Sequence, residues 1–263
     1  MDPYAVTMHA ALAAAATLVS LAFAFSTGER WLRGRKRHEA AWTVSLIMFA
    51  LGSASLWWGA GVGWDEWSFK SFYLFGAILN VPFLALGTVE LLAGPNHGRR
   101  WTAIVSLLGA FCAGIVFAAP LTGVIESDVL PQGKDVFGPG PRIAAAIGSG
   151  VAAVVIIAGA LWSAWRLFRV WRSGVNTRAR VSGAPSPQRI AIANVFIAIG
   201  TLILSAGGLL NSVVDEMDGF AISLVAGIAV IFFGFLITSS GTTSQLRAVP
   251  EPEEWHAPRS DVA

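Results

Sequence analysis

The chain has 263 residues, of which 55% are hydrophobic and 13% charged, and its 18 Lys and Arg against 16 Asp and Glu leave a net charge of +2. Soluble domains carry about 25% charged residues, so the polar coat of a water-exposed surface is missing. A soluble globular enzyme, a disordered chain and a nucleic-acid binder with a broad basic face are excluded, and lipid is the expected solvent.

A bilayer core about 30 Å thick is crossed by about 20 apolar helical residues. Seven stretches qualify: approximately Ala5–Phe25, Ala41–Gly61, Lys70–Ala93, Trp101–Ala119, Ile143–Val170, Ile190–Ser212 and Phe220–Ser240. An unpaired amide in hydrocarbon costs several kcal/mol, which makes helix the expected state of each; the alternation of a β-barrel is missing. The expected fold is an all-α polytopic membrane helix bundle with seven transmembrane helices. One domain is expected over residues 1–240, with a short disordered cytoplasmic tail at 241–263.

The first stretch contains Ala22-Phe23-Ala24, which resembles a signal-cleavage site, but its bases (Arg30, Arg33, Arg35, Lys36 and Arg37) follow rather than precede it. A secretory signal has the opposite polarity, so this reads as a retained span with its N-terminus outside. That threading leaves 15 of the 18 bases inside and only Lys70, Lys134 and Arg142 outside, as the positive-inside rule requires. The C-terminus then lies inside. His9, the only histidine within a span, falls one turn from the outer surface and is a candidate pathway residue.

Tryptophans mark the two boundaries. Trp57, Trp58, Trp64 and Trp67 cluster at the outer end of the second–third hairpin, and Trp162, Trp165 and Trp171 lie at the inner boundary with Trp31, Trp42 and Trp101. All read as interfacial anchors, with Trp57-Trp58 the pair best suited to stacking on a ligand.

The third span holds the main polar candidates, because intramembrane polar groups are functional hypotheses by default. Asn80 lies near its centre, two residues before Pro82, and a helical proline frees a carbonyl one turn back. Asn80 and that carbonyl, assigned to Ile78, would line a polar notch or form a kink with an interhelical hydrogen bond. Glu90, nearer the inner end, is expected to snorkel towards Arg99 or Arg100. The sharper alternative is a proton or cation site bordering one cavity with Asn80.

The long outer connection Pro120–Pro141 is expected to form a partly ordered cap that buries Val124, Ile125, Val129, Leu130, Val136 and Phe137, with Phe137-Gly138-Pro139-Gly140-Pro141 as a turn. Small residues every fourth position (Ser106, Ala110, Gly114, Ala118; Ala144, Gly148, Ala152; Ser223, Gly227) suit close helix contact and are compatible with a homodimer. Beyond the fifth span, Arg166, Arg169 and Arg172 alternate with aromatics, a pattern for anionic lipid head groups at the inner face. Val175–Gln188 reads as a flexible loop.

No catalytic constellation, metal site or cofactor site emerges. The single cysteine, Cys112, reads as a buried hydrophobe. His9 and the inner His38, His97 and His256 do not share a depth for haem ligation, and the last span has no lysine for retinal. Ser149 in Gly148-Ser149-Gly150 has no neighbouring histidine, and the triplet suits helix packing better.

The runs Phe49-Ala50-Leu51-Gly52 to Trp57-Trp58-Gly59-Ala60, Tyr73-Leu74-Phe75-Gly76-Ala77-Ile78-Leu79-Asn80-Val81-Pro82 and Val129-Leu130-Pro131-Gln132-Gly133 resemble a set of uncharacterised multi-pass membrane proteins of high-GC Gram-positive bacteria. The resemblance implies a bacterial plasma-membrane location and carries no activity. Two functions are therefore expected to compete: a non-enzymatic sensor or scaffold bundle, or a small-solute or ion permease using the Asn80–Pro82 break and Glu90. The partners expected are the lipid bilayer and its anionic head groups, not nucleic acid.

Overall fold

The computed structural model describes residues 3–93, 95–172, 187–209 and 217–239, and these are overwhelmingly helical. In chain order come α1 (Pro3–Gly34), α2 (Arg37–Val62) and α3 (Glu66–Phe72). A π-helical segment (Tyr73–Leu79) then runs into α4 (Asn80–Ala93), followed by α5 (Pro95–Ala118), the short α6 (Gly133–Val136), α7 (Pro139–Arg172), α8 (Pro187–Leu209) and α9 (Met217–Ser239). Among the described residues six helical stretches are long and apolar enough to cross a membrane: Thr7–Gly34, Arg37–Val62, Glu66–Ala93, Asn96–Ala118, Pro139–Arg166 and Gly219–Ile237. Within α8 the described apolar stretch is shorter, Val195–Gly208. The tail at 241–263 and the loop at 173–186 lie outside the described residues, as does the side chain of Trp171. Of the expected loop Val175–Gln188, the last two residues are instead the first turn of α8.

Helix starts follow from local chemistry. Pro3, Pro95, Pro139 and Pro187 each open a helix, where the N–H that proline lacks has no intrahelical partner to lose. This corrects the turn expected at Phe137–Pro141. Phe137 is extended, but Pro139, Gly140 and Pro141 form the first turn of α7. Both prolines occupy positions whose N–H groups would be orphaned in any case. At α3, Asp65 and Ser68 form a reciprocal capping box: Ser68 N–H donates to Asp65 Oδ1 (2.7 Å) and Asp65 N–H to Ser68 Oγ (3.0 Å).

Packing adjacency closes a ring, α1–α2–α4–α7–α8–α9 and back to α1, with α5 outside it against the third span and α7. Two glycines allow close backbone approaches in this ring. A Cβ on Gly52 of α2 would stand 2.8 Å from Gly76 N, and one on Gly200 of α8 2.7 Å from Gly227 O of α9. The stripes on α7 and α9 accordingly face neighbours, Gly148 against Ile78 and Pro82, and Ser223 against Gly207. The stripe on the fourth span does not. Ser106, Ala110, Gly114 and Ala118 are all exposed, and α5 packs instead through Gly109, Cys112, Ala113 and Val116.

One end of the bundle is capped. Leu121 bridges Phe137, and Thr122 N–H donates to Val136 O (2.9 Å). Phe137 is buried, stacked on Phe69 with ring centroids 5.2 Å apart and edge-on to Tyr73 at 5.0 Å. Leu130 and Val136 are buried beside it. Val124 and Val129, by contrast, stay exposed. The cap closes over the end of the third span.

Candidate functional site

The Asn80–Pro82 break lies where the π-helical register gives way to α4. In a π register Ala77 O would look five residues on, to Pro82, which has no N–H; in an α register it would take Val81 N–H. Val81 N–H donates to the Asn80 side chain, Oδ1, at 2.6 Å. The Ala77 carbonyl is satisfied from another helix, by the hydroxyl of Ser149 on α7. From the opposite side Ser45 on α2 donates to Asn80 O (2.7 Å). Asn80 is buried. Two serines from flanking helices thus supply the donors that a carbonyl in hydrocarbon needs, and the break is a three-helix junction. The carbonyl that receives the Ser149 hydroxyl is that of Ala77, one residue before the Ile78 carbonyl singled out in the sequence, and Ser149 acts there as a packing hydroxyl.

Glu90 lies at the other end of α4, and its side chain is only 5% exposed. Between it and Asn80, Ala85, Leu86 and Gly87 are buried, with the Trp42 indole pressed onto Gly87. The two polar residues therefore belong to separate environments. Thr102 on α5 donates to Glu90 Oε1 (2.8 Å), and Arg37 Nε on α2 lies 3.5 Å from the same oxygen. The partners expected from sequence, Arg99 and Arg100, are exposed. Glu90 Oε2 is buried without a hydrogen-bond partner among the described residues.

A second carboxylate at this end was not singled out in the sequence. Glu39 is buried and receives both prongs of the Arg30 guanidinium, Nε to Oε1 at 3.1 Å. That guanidinium also stacks on Phe235 of α9, 3.6 Å from the ring centroid. One arginine therefore ties α1, α2 and α9 together. His38 Nε2 lies 3.7 Å from Glu39 Oε1, beyond hydrogen-bond range. No group of three His, Cys, Asp or Glu placed to hold a metal occurs among the described residues.

At the capped end Lys70, buried on α3, donates from Nζ to Phe117 O (3.1 Å) and Ala119 O (3.0 Å) and pairs with Glu66 (2.7 Å). A lysine thus closes the C-terminus of α5. His9 is buried in α1.

The tryptophans divide by role. Trp57, Trp58, Trp67, Trp162 and Trp165 are exposed. Trp165 also carries the Arg169 guanidinium, 3.6 Å from its ring centroid. Trp64 is not an anchor. It is 5% exposed, packed on Gly59 and edge-on to Phe69 and Phe72, and its backbone N–H donates to Ser127 O (2.8 Å) in the cap. The positive-φ Gly63 (119°) after α2 turns the chain so that this ring folds inward.

No protein-family model, curated protein or solved structure matches this chain.

Proposed function

We propose that this chain is a seven-span protein of a bacterial plasma membrane, N-terminus outside and C-terminus inside, acting as a non-enzymatic sensor or scaffold. In this reading α8 is the sixth of the seven spans. Its 23 residues reach about 34 Å at 1.5 Å per residue, enough to cross the hydrocarbon. The basic end at Arg30–Arg37 and Arg99–Arg100 faces the cytosol and its anionic lipids, and the capped end faces out. The exposed small-residue stripe on α5 is left for lipid or for a second copy in a homodimer.

The observation that carries the sensor or scaffold reading over transport is the closure of the Asn80–Pro82 break by Ser45 and Ser149. Polar backbone that serves a permeating solute is exposed to a water-lined path; here those carbonyls are spent on neighbouring helices. The permease reading keeps one foothold, the unpartnered Oε2 of buried Glu90.

Proton, sodium and potassium flux in proteoliposomes separates the two. Wild-type protein is expected to leak no faster than empty vesicles. A flux above that level, reduced in Asn80→Leu and Glu90→Gln, would refute the reading.

A further inference from the structure

At the capped end of the bundle an open groove of about 340 Å³ runs along the junction of α2 and α3, lined by Leu51, Ser55, Trp58, Asp65, Trp67 and Ser71 among others. Its two ends differ in chemistry. Leu51 lies 11 residues before the end of α2, about 16 Å down the helix, and is exposed on what would be the lipid side. The groove's other end is lined by Asp65 and by two exposed indoles, Trp58 (52% exposed) and Trp67 (70% exposed). The Trp67 ring is steadied by Phe117, 5.8 Å away.

The charge around the mouth is acidic. Glu66 adjoins Asp65, and Glu126 and Asp128 flank Ser127, whose carbonyl is held to Trp64 N–H. Lys70 pairs with Glu66 (2.7 Å) while also donating to the Phe117 and Ala119 carbonyls, so the acids near the mouth without an ion pair among the described residues are Asp65, Glu126 and Asp128. Asp65 is held anionic by the hydrogen bonds from Ser68, which lower its pKa below the ordinary carboxylate range. Indole faces attract ammonium groups, quaternary ones included, through the ring quadrupole, and an adjacent carboxylate adds charge complementarity.

We propose that this groove binds a cationic amphiphile, its ammonium head between Trp58, Trp67 and the Asp65 carboxylate and its hydrocarbon chain lying along Leu51. The head-group chemistry comes from the two indoles and the acid, and the chain from the groove's direction towards the hydrocarbon. This goes beyond the sensor or scaffold reading and does not depend on it, since it concerns only one end of the bundle and requires no partner at the other.

The test uses the full chain in dodecylmaltoside micelles and a dodecyltrimethylammonium probe carrying a photoreactive diazirine in its chain, with labelled peptides mapped by mass spectrometry. Labelling is expected within residues 51–71, competed by unlabelled dodecyltrimethylammonium and at least about tenfold less effectively by tetramethylammonium, which lacks the chain. Asp65→Asn keeps an N-cap acceptor, and Trp58→Ala removes an exposed ring. Each is expected to weaken labelling about fivefold without altering thermal unfolding. The proposal fails if an uncharged dodecyl probe labels the same peptide equally, if both variants label as wild type, or if labelling falls elsewhere. Equal competition by tetramethylammonium would overturn the amphiphile in favour of a free organic cation.

Discussion

Phe137 is the residue on which the cap turns. Its ring is 1% exposed and touches both Phe69 and Tyr73 of the third span, while Leu130 and Val136 flank it in the same cluster. Truncation of a buried phenylalanine costs about 3–5 kcal/mol. The two ring pairs alone supply a further ~0.5–1.5 kcal/mol each beyond area burial. Taking about 3 kcal/mol for Phe137→Ala, at about 1.4 kcal/mol per tenfold, the cap opens about a hundredfold more often. Amide hydrogen exchange reads this directly at Thr122 and Trp64, whose N–H groups hold the cap through Val136 O and Ser127 O. Their exchange is expected to accelerate about a hundredfold, while amides in the middle of α9 keep their wild-type rates. Unchanged protection at Thr122 and Trp64 would refute the view that this ring pins the loop to the bundle.

Other perturbations probe the remaining contacts. Ser45→Ala and Ser149→Ala each strip a hydroxyl donor from a carbonyl at the break and are expected to lower stability in detergent by about 0.6 kcal/mol, the average for interhelical hydrogen bonds in membranes, and by no more than about 1.7 kcal/mol. Thermal unfolding of both variants checks this. Lys70→Met removes the ammonium from the Phe117 and Ala119 carbonyls, so faster exchange is expected in the last turn of α5 with that of α9 unaffected. For Asp65, whose pKa the Ser68 hydrogen bonds lower, the unfolded state binds the proton more readily. Its stabilisation of the α3 start is therefore complete above the ordinary aspartate value, about 3.9, and is lost as pH falls through the depressed folded value. Exchange at the Ser68 amide in wild type, compared with Asp65→Asn between pH 5 and pH 2, should show the acid-induced loosening only in wild type.

What could be read from the sequence depended on whether a signal was local. The long apolar runs that became α1, α2, α5, α7 and α9 needed no partner to be recognised, because the cost of an unpaired amide in lipid is fixed by the chain itself. Pro82 likewise announced a break. How that break is resolved was hidden, since it rests on Ser45 and Ser149, residues far away in sequence whose hydroxyls meet it only after three helices assemble. The partner of Glu90 was misjudged for the same reason: Arg99 and Arg100 are near in sequence, but the geometry of α2 brings Arg37 instead. Trp64 shares its composition cue with Trp57 and Trp58 and differs only through the Gly63 turn that folds it inward. Glu39 went unnoticed because it stands in a basic stretch that reads as solvated, and its burial depends on Arg30 and Phe235.

An odd number of membrane crossings underlies the whole account, and reporters fused to the two ends of the chain test it most directly. One reporter active only outside the cytosol and one active only within it, exchanged between the ends, should place the N-terminus outside and the C-terminus inside. Finding both ends on one side of the membrane would contradict the seven-span thread and remove α8 from the bilayer.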